Sequence, residues 1–198
     1  NINAHVSATE PPVELTWALI LALARNVVGE STAFRQGGPW QHSVGVELHG
    51  KRLGLLGLGK IGSRVARVGA AFGMDVVAWS PNLTDARAGE VGVTRAASKE
   101  ALLETSDFVS IHLVLGERSR GLVGRAELAR MQRTAYLINT SRAAIVEQAA
   151  LVDALQRGVI AGAAVDVFET EPVPADDVLR TLPNLLATPH LGYVAQGN

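Results

Sequence analysis

The sequence predicts an α/β fold with a doubly wound parallel sheet, and three observations carry the prediction. Short apolar runs rich in Val, Ile and Leu recur near residues 53–57, 75–79, 108–112, 135–139, 161–165 and 185–187. Helical spacing of apolar residues separates several of them, over 60–72, 98–104, 125–131 and 147–157. Near-continuous apolar strands alternating with helices fit a parallel sheet covered on both faces, because such strands are buried on both sides. The third observation is that the first run enters a glycine-rich turn, Gly57-Leu58-Gly59-Lys60-Ile61-Gly62.

Taken in order, the elements have local causes. After a polar, extended start, Pro11 and Pro12 can open a helix that is expected to run to about Phe34, where Gln36-Gly37-Gly38-Pro39 stops it. Its segment Leu15 to Ala24 is apolar all round, which predicts burial between domains or subunits. That segment is about half the length a membrane span needs. Residues 40–50 read as a connecting loop. After the glycine turn, Val65, Val68, Gly69 and Phe72 recur at helical spacing until Gly73. Ser98 reads as an N-cap and Gly158 as a C-terminal stop.

Composition narrows the function classes. The chain has 198 residues, 47% of them hydrophobic, with 18 basic and 19 acidic side chains and a formal net charge of −1. No basic run offers a footprint for nucleic acid or an anionic membrane. Cysteine is absent, so disulfides, thiolate nucleophiles and cysteine-ligated zinc are excluded, and a cytoplasmic location is expected. No His-Glu motif suggests another metal site.

The G-x-G-x-x-G turn after a strand is the fingerprint of a Rossmann dinucleotide site. Gly57 permits the tight turn, Gly59 lets backbone approach a pyrophosphate, and Gly62 lets the helix pack closely on the sheet. The first N–H groups of that helix then face the phosphates. Ligands of such sheets sit at the carboxyl ends of the strands. Those ends carry Ser80, His112, Thr140-Ser141-Arg142, Asp166 to Glu171 and Thr188-Pro189-His190. Arg142 offers a bidentate grip on a carboxylate. His190 can exchange a proton near neutral pH, and a carboxylate such as Glu171 on its other nitrogen would fix its orientation.

Four segments together, Gly57 to Gly62, Asn139-Thr140-Ser141-Arg142, Asp166-Val167-Phe168-Glu169-Thr170-Glu171-Pro172 and Thr188-Pro189-His190-Leu191-Gly192, resemble the D-isomer-specific 2-hydroxyacid dehydrogenases in order and spacing. The helix from Glu14 to Arg25 resembles that family's interdomain helix. The resemblance implies a hydride transfer between a nicotinamide cofactor and a small 2-oxo or 2-hydroxy acid. Arg142 would hold the substrate carboxylate, His190 would protonate the carbonyl oxygen, and Glu171 would pair with His190. Asp166 would hold the nicotinamide carboxamide, and the backbone of Lys60 and Ile61 would meet the pyrophosphate. Leu113, Thr140, Ser141 and Gly192 would line the cofactor. It further implies residues 1–45 as interdomain helix and connecting loop, 46–189 as the dinucleotide-binding domain, and 190–198 as the start of a return to a substrate domain. A homodimer through the cofactor domain is expected.

Two positions depart from the pattern. Ser80 stands where the fingerprint expects an acidic residue on the ribose 2′-OH, so both NAD and NADP remain admissible. Ala143 stands where the family usually has Gly, which raises the question of a positive φ there. His112 resembles a structural position, and His5, His42 and His49 read as ordinary surface residues. Because the family builds its substrate domain from segments flanking this region, the chain is expected to be part of a longer enzyme, with little turnover alone. Two other readings stay open: a nicotinamide-binding redox-sensing corepressor, and a scaffold that only dimerises.

Overall fold

A computed structural model describes residues 9–196. Its elements are α1 (Glu10–Ala24), α2 (Val27–Arg35), β1 (Arg52–Leu56), α3 (Lys60–Ala71), β2 (Asp75–Trp79), α4 (Asp85–Val91), β3 (Thr94–Arg95), α5 (Lys99–Thr105), β4 (Phe108–Ile111), α6 (Arg125–Arg130), β5 (Tyr136–Asn139), α7 (Gln148–Gln156), β6 (Gly162–Val165) and β7 (Leu185–Ala187). Short 3-10 turns occupy Ala143–Ile145 and Val178–Thr181. The seven strands form one sheet in the order β3-β2-β1-β4-β5-β6-β7, with every pairing parallel. This is the doubly wound arrangement: the order reverses beside β1, so a crevice opens at the carboxyl ends of β1 and β4.

Alternation along the strands divides the core in two. Leu53 and Leu55, with Phe108 and Ile138, pack beneath α1 and α3 against Trp17, Ile20, Val65 and Ala66. Leu56, Val109, Ile111 and Leu137 face the other way, onto Leu102, Leu103, Leu128, Leu151 and Leu155 of α5, α6 and α7. Period-2 side-chain direction on a sheet covered twice produces this split. α1 therefore lies on the sheet as a core helix of the cofactor fold.

The long N-terminal helix is the main departure from the expectation. It breaks after Ala24: Arg25 closes α1, Asn26 adopts a left-handed φ of 47°, and α2 leaves at 65° to α1. Asn is among the few residues that visit this region readily. Asn26 Nδ2 donates to Ser43 Oγ at 3.1 Å, and its amide lies where a side chain on Gly29 would sit. A tertiary contact from the connecting loop thus sets the bend. That loop is fixed further by Glu30, which accepts from the backbone N–H and hydroxyl of Ser43 and pairs with His42 at 3.2 Å. His42 is therefore partnered, whereas His49 is an exposed surface residue as expected. His5 and the polar start before residue 9 lie outside the described residues. α4 and the two-residue β3 were not anticipated. Ser98 caps α5 through Ala101 N–H, and Gly73 and Gly158 take φ of 74° and 64° where α3 and α7 stop.

Candidate active site at the strand ends

Where β1 ends, Gly57 turns with φ of 105° and donates its N–H to Trp79 O at 2.9 Å. A Cβ at Gly62 would lie 2.2 Å from the Gly57 carbonyl oxygen, so only glycine closes this turn against α3. At Gly59 a Cβ would meet nothing within 4 Å, and no side chain caps α3. The turn is closed inside and open outside, where the first N–H groups of α3 are available to an anion. Lys60 is exposed and Ile61 half-buried at this mouth.

At the end of β5, Asn139 is 2% exposed and staples the next residues. Its Oδ1 accepts from Ser141 N–H at 3.1 Å and its Nδ2 donates to Arg142 O at 3.1 Å. Ser141 Oγ donates to Leu113 O at 2.6 Å, lacing this loop to the one after β4. Thr140 Oγ1 bonds Thr16 Oγ1 at 2.8 Å. Since the Thr16 proton goes to Pro12 O at 2.7 Å, Thr140 is the donor to Thr16 and α1 grips the loop. Arg142 is exposed, steadied by a bond from Nη1 to Ser141 O at 2.8 Å. Ala143 begins a 3-10 turn and is not among the positive-φ residues, so alanine is accommodated there without strain.

Asp166, fully buried after β6, organises the last segment. Its Oδ1 accepts from Thr188 Oγ1 at 2.6 Å and Leu191 N–H at 2.7 Å, and its Oδ2 from Gly192 N–H at 2.8 Å. One acceptor site remains on Oδ2. His190 lies inside this clamp with φ of 54°, a left-handed conformation that a side-chain-bearing residue adopts at a cost. Its N–H donates to Thr188 O at 2.9 Å. His190 Nδ1 meets Glu171 Oε2 at 2.7 Å, and Glu171 Oε1 accepts from Phe168 N–H at 2.9 Å. The bond from His190, with that from Phe168, lowers the Glu171 carboxyl from its ordinary value, and the Arg142 charge adds to this. An ionised Glu171 makes Nδ1 the protonated nitrogen of a neutral His190, leaving Nε2 for another partner.

A cavity of about 690 Å³ joins these loops. Of the predicted residues, Ile61, Leu113, Thr140, Ser141, Arg142, Asp166, His190 and Gly192 line it. Gly57, Gly59, Lys60, Gly62 and Ser80 lie outside it, at the glycine turn and the end of β2. Glu171 lines a second cavity of about 570 Å³ that shares His190. Among the described residues no cluster of His, Cys, Asp or Glu could hold a metal ion.

Residues 17–192 match the D-isomer specific 2-hydroxyacid dehydrogenase, NAD binding domain. The chain belongs to this family. It is 47% identical over 191 residues to a glyoxylate reductase of Aeropyrum pernix, covering 92% of this chain and 56% of the relative. A phosphoglycerate oxidoreductase of Vibrio cholerae superposes with a TM-score of 0.90 at 39% identity, over 96% of this chain and 61% of that one. The NAD-complexed D-isomer specific 2-hydroxyacid dehydrogenase of Lactobacillus delbrueckii gives 0.83 at 26% identity, over 96% and 61%. The chain thus spans little more than half the length of these relatives and carries the 2-hydroxyacid dehydrogenase NAD-binding domain.

Within this 2-hydroxyacid dehydrogenase domain, Thr16 acts on the site without having been singled out in the sequence, and Asn139 and Thr188, which the sequence motifs include without a role, act on it as well. Each is a buried or half-buried hydrogen-bonding residue next to a strand end or on a greasy helix. His112 is internal to the site's scaffold: its N–H donates to Leu56 O at 2.8 Å and its Nε2 meets Ser110 Oγ at 2.9 Å. Burial pushes the imidazole down to about 4. On acidification below pH 6.5 the unfolded chain takes up a proton that the folded chain refuses until near pH 4, so His112 costs stability across that window. Between pH 7 and 4.5 the loss is about 2–3 kcal/mol. His112→Asn is expected to lessen the acid sensitivity by that amount in urea unfolding at the two pH values; equal losses in both proteins would exclude it.

Proposed function

We propose that this domain is the cofactor half of an NAD(P)-dependent D-2-hydroxyacid dehydrogenase that reduces a small 2-oxo acid. The observation that carries it is the meeting of Arg142 and the Glu171-held His190 on one cavity beside an open glycine turn. The residues fit a dinucleotide: Gly59 leaves its flank free, α3 offers uncapped N–H groups, and the cavity lies in the usual range for small-molecule sites. Lys60 and Ile61 would hold the pyrophosphate through backbone, while Thr140, Ser141, Leu113 and Gly192 would flank the nicotinamide ribose and ring. The free acceptor site on Asp166 suits a carboxamide N–H. A reduced nicotinamide supplies the hydride.

The remaining chemistry belongs to the side chains. Arg142 takes the substrate carboxylate in its planar fork and places positive charge beside the carbonyl. His190 delivers a proton from Nε2 to the carbonyl oxygen as the carbon gains hydride, and Glu171 stabilises the charged ring and keeps it aimed. A protonated His190 is the reactive form for reduction, and the neutral form for the reverse oxidation. Glyoxylate is the first substrate to test, given the name of the Aeropyrum relative.

The bounds 1–45, 46–189 and 190–198 for helix and loop, cofactor domain and return segment belong to the same reading, as does a cytoplasmic setting with its nicotinamide pool. So does a homodimer. Val27, Val28 and Phe34 on α2 and Trp40 in the following loop are more than half exposed, the Phe34 and Trp40 rings lie 6.1 Å apart, and Glu30 of α2 holds that loop at Ser43. Exposed apolar surface of this kind marks an association face. The test is titration of the chain with NADH and NADPH, followed by the fluorescence of its three tryptophans, and glyoxylate reduction by the full-length protein. Absence of any saturable nucleotide response would refute the reading.

A further inference from the structure

Residues 80–90 fold back toward the glycine turn in a way that their sequence spacing conceals. Ser80 directly follows β2, and the bond from Gly57 N–H to Trp79 O sets that strand end against the turn. Leu83 N–H donates to Ser80 O at 3.1 Å, and Thr84 Oγ1 caps α4 by accepting Arg87 N–H at 3.2 Å. This reversal brings the Arg87 guanidinium to the start of α3, where Nη2 donates to Ser63 Oγ at 3.2 Å. Ser63 in turn donates to Leu58 O, inside the turn, at 3.2 Å. A guanidinium seven residues from Ser80 in sequence therefore stands one hydroxyl away from the glycine turn.

We propose that Ser80 and Arg87 form a ribose 2′-phosphate site, so that this domain selects NADPH over NADH. The inference rests on the cofactor reading above and refines it. In this fold the adenosine ribose lies against the end of β2, where a carboxylate accepts the 2′-OH and repels a 2′-phosphate, while a nearby Arg accommodates one. Ser80 is neutral and can donate to a phosphate oxygen. Arg87 presents a fork of donors matched to the same group. The acids of this corner do not block it. Asp85 is engaged by Arg95 at 2.6 Å, and Glu90, which meets Arg87 Nη1 at 3.0 Å, is 65% exposed, so water can take the carboxylate when a phosphate displaces it. Such exposed ion pairs are weak. Lys60, exposed at the same turn, adds positive charge.

Parallel titration of the chain with NADH and NADPH at one low salt concentration tests the assignment. NADPH is expected to bind about tenfold or more tightly than NADH, the size of one charge-assisted bond. Arg87→Ala should weaken NADPH by about tenfold while leaving NADH within about twofold, and Ser80→Asp should invert the preference. NADH binding as tightly as NADPH to the unaltered chain overturns the proposal. So does an equal loss for both nucleotides in Arg87→Ala, because Arg87 would then only prop the glycine turn through Ser63. A chain that binds neither nucleotide refutes the cofactor reading itself, an outcome distinct from binding without preference.

Discussion

Asp166→Ala is expected to destabilise the folded chain by about 2–4 kcal/mol, because it strands a hydroxyl and two backbone N–H groups that share one buried carboxylate. Asp166 has no compensating cation among its bonded partners; Thr188, Leu191 and Gly192 do that work alone. The loss also reaches the chemistry. His190 takes its left-handed backbone between residues that are tied on both sides to the same carboxylate. Asp166→Asn retains Oδ1 as an acceptor but turns a donor toward Gly192 N–H, so an intermediate loss of about 1–2 kcal/mol is expected. Urea unfolding measures both. An alanine variant within about 1 kcal/mol of the parent would show that water replaces the carboxylate without loss.

This role of Asp166 illustrates what the sequence hides. Residue identity and resemblance point to a carboxylate facing a carboxamide, and one acceptor site on Oδ2 leaves room for that. The three donors that fill the other sites come from residues 22–26 positions later, and nothing in local pattern announces such pairings. The same holds at Thr16, a polar residue on a greasy helix, whose partner Thr140 lies 124 residues away. By contrast, the sheet was legible, because strands buried on both faces must be apolar throughout and cannot disguise themselves. The glycine turn was legible too, since Gly57 and Gly62 have no alternative: any Cβ there would strike backbone. α4 and β3 are short, and a two-residue strand leaves no period to read. Asn26 broke a helix that hydrophobicity alone would have continued, through a contact with Ser43 that only the folded loop provides.

Arg87 sharpens the point from the functional side. Its distance from Ser80 in sequence conceals where its guanidinium goes, because the Thr84 cap and the turn at Ser80 to Leu83 redirect the chain and Arg87 reaches Ser63 at the start of α3. Spacing rules describe residues joined by regular elements. They fail where a cap redirects the backbone.

His190→Gln in the full-length protein is expected to lower kcat for 2-oxo acid reduction by about 10²–10⁴ at neutral pH, the usual contribution of a positioned general acid. Gln can still donate an amide hydrogen bond to the Glu171 carboxylate, so the clamp at Asp166 and the fold should survive, but it has no proton to give. NADH or NADPH affinity should stay within about twofold of the parent, because in the proposed reading the imidazole acts on substrate. Glu171→Gln should cost less, about 10–10² in kcat, since it removes the charge that favours the protonated ring while leaving a side chain able to aim it. The pH dependence follows from the lowered carboxyl of Glu171. Its contribution is fully present above the ordinary carboxylate range and is lost only as pH falls through the lowered folded value, so the difference between parent and Glu171→Gln should persist through mildly acidic pH and narrow below it. Stopped-flow single turnovers with preformed protein–cofactor complex separate the proton-dependent step from binding. If His190→Gln weakened cofactor binding in proportion to its loss of rate, the imidazole would be a wall of the cofactor site and another group would supply the proton.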